Sequence, residues 1–494
     1  MPELLRDMGE ILQGALGQKV VHPSSVGIVH IGLGAFHRAH QAFYTDQIIR
    51  QGHKAWGIVA VNLRSREIVD ALNAQGFLFC RWEKEEARET INVVSSLVGA
   101  LHLPSQRDQI MAHFIDPGVS VITVTVSEKG YYFDPKNNSL DSEHPNIVSD
   151  LNNPKMPGTL PGLLYAAFCA RKAANTGPLT VISCDNYNKN GHVLRAVVEG
   201  YASQCDPDLL HWMSDNISFP SSMVDGIVPR ITERDKLDFT AKTDLVDNAP
   251  VIAESYRRWV IEDDFAGARP SWDLAGAEFV RDVEPYEAAK LHLLNAPHSA
   301  VAYLGHSSGM EYIYDAISNS LIKNYTQRLI FNELLPTVAE KCSFDPEPYA
   351  SQVIPRFSNP NIRHPIWQVV SDGSLKIPQR ILPIVEKRLA KNLSIKEITL
   401  AIAAWMNFLR CLSKTDQCQS NPDPIAEELG SIVKNAGEDL PGLVDGLLAL
   451  QSIFPDALAG NQTFRRFLIK HATGLREHGV LTWLSIQQND GTTE

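Results

Sequence analysis

A lysine, an asparagine and a histidine recur within one apolar, helix-like stretch, Tyr286-Glu-Ala-Ala-Lys290-Leu-His-Leu-Leu-Asn295-Ala-Pro-His298-Ser-Ala-Val-Ala-Tyr303. At about 100° per residue, Asn295 and His298 fall close together, with Lys290 on the edge of the same face. A lysine buried there would lose solvation, so its pKa would fall and it could exchange a proton near neutrality. Asparagine and histidine can donate to an oxygen that becomes negative in a transition state. A polar helix face at a domain boundary would show the same spacing. Pro297 cannot donate to the carbonyl of Leu293, at a cost of ~3 kcal/mol inside a regular helix. The spacing therefore predicts a kink or break at that point.

A second group sits near the start. Val26-Gly-Ile-Val-His-Ile-Gly-Leu-Gly-Ala-Phe36 is a β-rich run that ends in glycines and passes into a helical pattern over His37–Ile49. Gly32 and Gly34 would let the backbone approach a pyrophosphate, and the next helix N-terminus offers N–H donors to it. The third fingerprint position is His37 rather than glycine. A Gly-x-Gly turn alone is a weak signal. A second strand, Trp56–Val61, follows at the spacing of a dinucleotide-binding unit and strengthens it. Ala35, Phe36 and Arg38 complete the candidate cofactor contacts on the turn, and Asn62, Arg64 and Glu67 those after the second strand. Glu67 could bond ribose hydroxyls and favour NAD, whereas Arg64 and Arg66 could hold a 2′-phosphate and favour NADP. A solvated charged loop would look the same.

These residues need elements to place them. Val119–Val126 and Leu179–Ser183 read as further buried strands, and strands alternating with helical stretches predict a parallel sheet. Beyond about residue 285 the β-branched runs thin out. Glu287–Gly305, Ala316–Leu335, Gln379–Lys391 and Ser394–Leu412 read as helices, the last opened by a capping box, Ser394-Ile-Lys-Glu397. Asn421-Pro-Asp-Pro424 reads as the end of one segment and the start of the next. The expected fold is α/β: a Rossmann-like NAD(P)-binding domain over 1–285 and a mostly α-helical substrate domain over 286–494.

Composition narrows the function classes. The chain has 494 residues, 44% hydrophobic and 21% charged, the mix of a globular protein. Acidic residues outnumber basic ones, 57 to 45, for a net charge of -12, which argues against nucleic acid as a partner. The seven cysteines form no Cys-x-x-Cys pair and suit a reducing compartment. No apolar run approaches a membrane span, and the start lacks a signal-peptide pattern. A cytoplasmic enzyme without a membrane partner is expected. His30, His37 and His40 lie on the glycine turn, where packing or phosphate contact is expected rather than zinc. Glu262, Asp263 and Asp264 read as a solvated loop rather than a hydrolase pair.

Taken together, the chain resembles the polyol-specific long-chain dehydrogenases, the mannitol dehydrogenase family. The resemblance rests on Ile31-Gly-Leu-Gly-Ala-Phe-His-Arg-Ala-His-Gln41, Thr125-Val-Ser-Glu-Lys-Gly-Tyr131, Ser183-Cys-Asp-Asn186, Phe219-Pro-Ser-Ser-Met-Val-Asp225 and Trp259-Val-Ile-Glu-Asp263. The lysine–asparagine–histidine segment, Arg356-Phe-Ser-Asn-Pro360 and Asp372-Gly-Ser-Leu-Lys376 continue it. Tyr286-x-x-x-Lys290 also matches the pair used by short-chain dehydrogenases, but it lies far too late for that single-domain family. The mannitol dehydrogenase resemblance implies metal-free hydride transfer between a nicotinamide cofactor and a secondary alcohol, in an interdomain cleft. It implies Lys290 as general acid/base, Asn186 and Asn295 as donors to the reacting oxygen, His298 as a substrate-orienting group, and Glu128 as an aid to proton exit. Asp225 and Lys376 match substrate-cleft residues, for which an ion pair is the structural alternative.

Three positions depart from the family pattern: Gly226 for an arginine, Ala296-Pro297 in the usual Asn-Gly-x-His, and Gln368 for the arginine of mannitol-type members. The stretch Asn359-Pro-Asn-Ile-Arg-His-Pro-Ile-Trp-Gln368 looks like the uronate-reducing branch, which makes mannonate from fructuronate. Arg363, next to His364, could bind a substrate carboxylate bidentately while Lys376 adds charge. A neutral polyol such as mannitol, the alternative substrate, would need neither cation.

Overall fold

The strand Val26–Ile31 is buried from its second residue onward, as a strand covered on both faces must be. It lies inside a six-stranded sheet whose order, from one edge, is Leu97–His102, Gly57–Asn62, Val26–Ile31, Val121–Val124, Leu179–Ser183, Ile217–Ser218. Every neighbouring pair is parallel. Numbered along the chain the order is 3-2-1-4-5-6, that of doubly wound dinucleotide-binding sheets. The order reverses between Val26–Ile31 and Val121–Val124. A crevice therefore opens past their C-terminal ends, at Gly32 and Thr125. One face is covered by Leu160–Ala174 and Asn190–Cys205, packing Leu163, Phe168 and Val197 on Ile122 and Val181. Ala42, Phe43, Trp259 and Trp272 pack with Ile28, Ile58 and Ala60 on the other side.

The computed structural model describes residues 3–4, 18–413 and 423–489. Cys418 and the Asn421-Pro422 pair of the expected segment boundary lie outside the described residues. The chain divides into two compact units, Met1–Glu284 and Pro285–Glu494. The first is the Rossmann-type α/β unit. The second is helical in its described residues apart from one isolated bridge, Tyr312 to Pro365. Its centre is Lys396–Leu412, buried almost all round, against Ala296–Ser307 and Gln462–His478.

Several expected elements differ in detail. The helix expected over His37–Ile49 is two, Ala35–Ala39 and Gln41–Arg50, hinged at His40. There the ring accepts the local bend (φ −117°, ψ −87°) and bonds the Arg258 carbonyl at 3.1 Å. Ala316–Leu335 is interrupted because Asn319 caps a new helix, Ser320–Arg328, by accepting from the Leu321 and Ile322 amides. Gln379–Lys391 becomes Leu382–Ala390, since Pro383 fits only a first turn. The capping box at Ser394 does not form. The helix starts at Lys396, Glu397 pairs with Arg328 at 2.9 Å, and the buried Glu333 carboxylate accepts from the Glu397 and Ile398 amides at 3.1 and 2.7 Å.

Candidate active site

The glycine turn has steric reasons for its residues. Gly32 has φ +105°, and a Cβ there would lie 1.9 Å from the Thr125 carbonyl oxygen. Only glycine fits. At Gly34 a Cβ would meet nothing nearer than the Gly32 oxygen at 3.9 Å, so that side of the turn is open to an approaching ligand. Glycine where the protein itself demands none is what close approach of a pyrophosphate requires. The turn residues thus fit a dinucleotide. His37 fills the role of the missing third glycine differently: its ring stacks flat on His30 of the strand, centroids 3.3 Å apart. Both rings are fully buried and desolvation holds both far below the ordinary imidazole pKa. The turn histidines pack, as expected.

Ala35 and Phe36 are partly exposed on the turn. Arg38 points inward, donating to Ala249 O at 2.6 Å and Gly34 O at 3.3 Å. Burial lowers its pKa to about 10, against the opposing effect of Asp247. In this position it holds the turn's shape. Asn62 donates to Ser65 O at 2.9 Å. Arg64, Arg66 and Glu67 are all exposed, and Arg66 pairs on the surface with Asp70 at 3.1 Å.

The crevice has a corner that the sequence reading did not single out. Asp185 precedes the exposed Asn186, and its carboxylate accepts from the amides of Val126 and Ser127, both at 2.9 Å, and from Tyr131 Oη at 2.8 Å. Ser127 has φ 65° and ψ 163°, a region that costs a non-glycine residue of order 1–3 kcal/mol. The two bonds from Asp185 hold the chain there and present Glu128, exposed, on the next turn. Burial raises the Asp185 pKa to about 6, while the bonds from Val126, Tyr131 and Ser127 pull it down. The motif Ser183-Cys-Asp-Asn186 contained the signal, an acid two residues past a strand end. Asp225 is buried at the end of the strand Ser222–Asp225. Beside it a Cβ on Gly226 would meet nothing nearer than Tyr256 O at 3.6 Å, so the glycine is not sterically required. Glu262 accepts from the Ser221 amide and Asp263 pairs with Arg269, so these acids form no facing pair.

In the second unit the kink or break expected at Pro297 takes a specific form. The chain does not break. Lys290–Asn295 forms a π turn between the α-helical Glu284–Ala289 and Ala296–Ser307, and Pro297 falls in the first turn of the resumed α-helix. A second π turn, Leu329–Leu334, stands in the same relation to Pro336 and packs on the first. In α register Lys290 and Asn295 would lie about 140° apart around the axis. A π turn is wound more loosely than an α turn, so the same five steps bring the two residues closer in angle, to about 50°. The π turn thus gathers Lys290, Asn295 and, three residues on, His298 to one side.

His298 stacks on Phe357 (4.7 Å) and lies 5.0 Å from the His364 ring. Burial holds its pKa well below the ordinary value, with His364 and the charges of Arg380, Lys376 and Arg356 acting in the same direction. It is therefore neutral near pH 7. Its Nε2 and the Nδ1 of His364 are buried and have no hydrogen-bond partner among the described residues. Burial, with Lys376, lowers His364 to about 4. Lys376 donates to the carbonyls of Val369 (3.0 Å) and Ser371 (2.5 Å). Arg363 is exposed, and its charge acts on Tyr312 and Tyr314. The structure thus joins His364 and Lys376 to His298 and turns Arg363 outward. Tyr286 stacks on Phe344.

Two family models match. The mannitol dehydrogenase Rossmann domain covers residues 26–274 and the mannitol dehydrogenase C-terminal domain residues 282–472. The uncharacterized oxidoreductase YdfI of Escherichia coli (strain K12) is 38% identical over 92% of this chain and 93% of its own. D-mannonate oxidoreductase of the same organism is 37% identical over 88% of this chain and 90% of its own. Among solved structures, Pseudomonas fluorescens mannitol 2-dehydrogenase, in ternary complex with NAD and D-mannitol, matches with a TM-score of 0.83 and 32% identity over 94% of each chain. The fingerprint turn on a 3-2-1-4-5-6 sheet, the lysine helix of the second unit and matches that span both units agree: the chain belongs to the mannitol dehydrogenase family of NAD-dependent oxidoreductases acting on CH–OH groups.

Proposed function

We propose that this chain is a metal-independent reductase that interconverts a keto-uronate and a sugar acid, D-fructuronate and D-mannonate, using NAD. The observation that carries an acidic substrate is the positive charge gathered on His298 from Lys376, Arg356 and Arg380, in a chain of net charge -12. A substrate carboxylate gains from such a group, and a neutral polyol does not. The 37% identity to D-mannonate oxidoreductase supports the same substrate pair.

In this reading Gly32, Gly34, Ala35 and Phe36 would hold the pyrophosphate of the cofactor and Asn62, Arg64 and Glu67 its adenosine end; once bound, it would supply or take up the hydride. Lys290 moves the proton: as ammonium it donates to the carbonyl oxygen during reduction, and as amine it accepts the hydroxyl proton in the reverse direction. The amide groups of Asn186 and Asn295 donate to that oxygen as it becomes negative. Neutral His298 orients the substrate hydroxyls with its buried Nε2. Glu128 relays the proton to water. His364 and Lys376 serve the carboxylate end, and Asp225 accepts from a substrate hydroxyl. NAD is favoured over NADP because Glu67 suits a ribose diol and Arg66 is engaged by Asp70.

A second reading, mannitol 2-dehydrogenase, is favoured by two observations: Arg363 faces outward, and the Lys376 ammonium already donates to two carbonyls. Reduction of fructuronate, tagaturonate and fructose, each with NADH and NADPH, separates the two. The highest kcat/KM is expected for fructuronate with NADH. A clear preference for fructose replaces the first reading by the second.

A further inference from the structure

The π turn that carries the proposed acid/base is held from outside, within the turn and at its C-terminal end, by Arg380. Arg380 closes the helix Gly373–Arg380, one turn after Lys376 on the same side. Its Nη1 donates to the carbonyl of Asn295 at 3.3 Å and to Ser299 Oγ at 3.0 Å, at the end of the π turn and just beyond it. Its own carbonyl accepts from Nδ1 of His292, inside the turn, at 2.8 Å. His292 is buried, and burial lowers its pKa to about 4, so near neutral pH it is an uncharged ring with its proton on Nδ1. The helix itself is anchored in turn by Asp423, whose carboxylate accepts from the Ser374 amide at 2.9 Å and from Ser374 Oγ at 2.6 Å.

A π turn is the less stable register of a helix and persists where its surroundings impose it. Pro297 prevents one α-type bond but does not choose what replaces it. Arg380 grips the turn on both sides of Asn295. We propose that Arg380 is a positioning residue for the reaction: its guanidinium, by holding Asn295 and Ser299 beside the His292 bond to its carbonyl, keeps Lys290 and Asn295 aligned on the substrate oxygen. This rests on the roles proposed above for Lys290 and Asn295.

The test is steady-state kinetics of the full-length Arg380→Met and Arg380→Lys variants with whichever ketose or keto-uronate the wild-type enzyme reduces. A misplaced reacting group costs on the order of 100-fold, so kcat is expected to fall by about that much while the KM for NADH stays unchanged. Lysine's shorter stem stops its Nζ short of the Nη1 position that bonds both Asn295 O and Ser299 Oγ, so it should rescue little. Added guanidinium ion, in low millimolar amounts, should restore part of the kcat of Arg380→Met. A folded Arg380→Met with wild-type kcat overturns the clamp, whatever its thermal stability. If Arg380→Met does not fold, Arg380→Lys decides in the same way. A wild-type enzyme inactive on all three substrates would instead count against the function proposed above, which keeps the two failures apart.

Discussion

Lys290 is the residue on which the proposed chemistry turns, and its removal can be separated from cofactor binding. The Gly32–Arg38 turn belongs to the other unit and shares no residue with the lysine helix. Lys290→Ala is expected to lower kcat by roughly a hundred- to ten-thousand-fold, the range of lost general acid–base catalysis, while NADH still binds. Fluorescence titration of NADH alongside the rate assay measures both; turnover near the wild-type rate would remove Lys290 from the mechanism. The lysine, the asparagine and the histidine stand out in the sequence as candidates because their residue types can handle protons and their spacing is near-helical, while the roles proposed for them come from the family resemblance. Asp185 was not, although its motif was noticed. Its effect lies in bonds to amides and a tyrosine 54 to 59 residues away, which strand pairing alone brings near. Arg363 and His364 show the same limit. They are neighbours in the chain, and only the fold decides that the histidine turns inward and the arginine outward.

At the scale of elements, the sequence shows where a regular helix must yield but not how. Pro297 implied a kink or a break, and the helix carries a wider turn just before it. Asn319 and Pro383 divide helices that the apolar pattern ran together, because periodicity reports burial and caps report ends. The capping box at Ser394 failed for a tertiary reason: Arg328 took its glutamate and Glu333 supplied the cap from another helix. That substitute cap is titratable. Burial raises Glu333 from 4.5 to about 7, with the bonds from Ile398 and Glu397 pulling the other way. The folded state therefore binds the proton more tightly than the unfolded chain between these values. Stability from this group is full below about 4.5 and is lost as pH rises through about 7. Glu333→Gln keeps the shape and cannot titrate. The wild type's Tm, relative to Glu333→Gln, should be higher at pH 5 than at pH 8. A difference that is flat with pH, or of opposite sign, would place the carboxylate elsewhere than in this cap.

For the molecule as a whole, alternating strands and helices predicted the parallel sheet, and four of its six strands were legible. Leu97–His102 and Ile217–Ser218 were not: Gly99 and Ala100 interrupt the β-prone run of the first, and the second is only two residues long. The strand order could not be read at all, because pairing is set by crossovers that leave no local mark. Net charge was legible, but its meaning depends on distance. A chain of charge -12 would repel an anionic substrate from afar, whereas in the proposed site Lys376, Arg356 and Arg380 would attract it on contact. The Debye length is about 10 Å at 0.1 M salt, so charges spread over the surface are largely screened at the site. A cation about 4 Å from a carboxylate is worth about 4 kcal/mol at an effective dielectric of about 20. The local group should therefore win. Raising ionic strength from about 0.1 to about 1 M shortens the Debye length to about 3 Å and weakens that attraction. The KM for fructuronate is expected to rise with salt while the KM for fructose stays flat. A fructuronate KM that falls with salt would mean that the net charge governs the approach and that these cations do not meet the carboxylate.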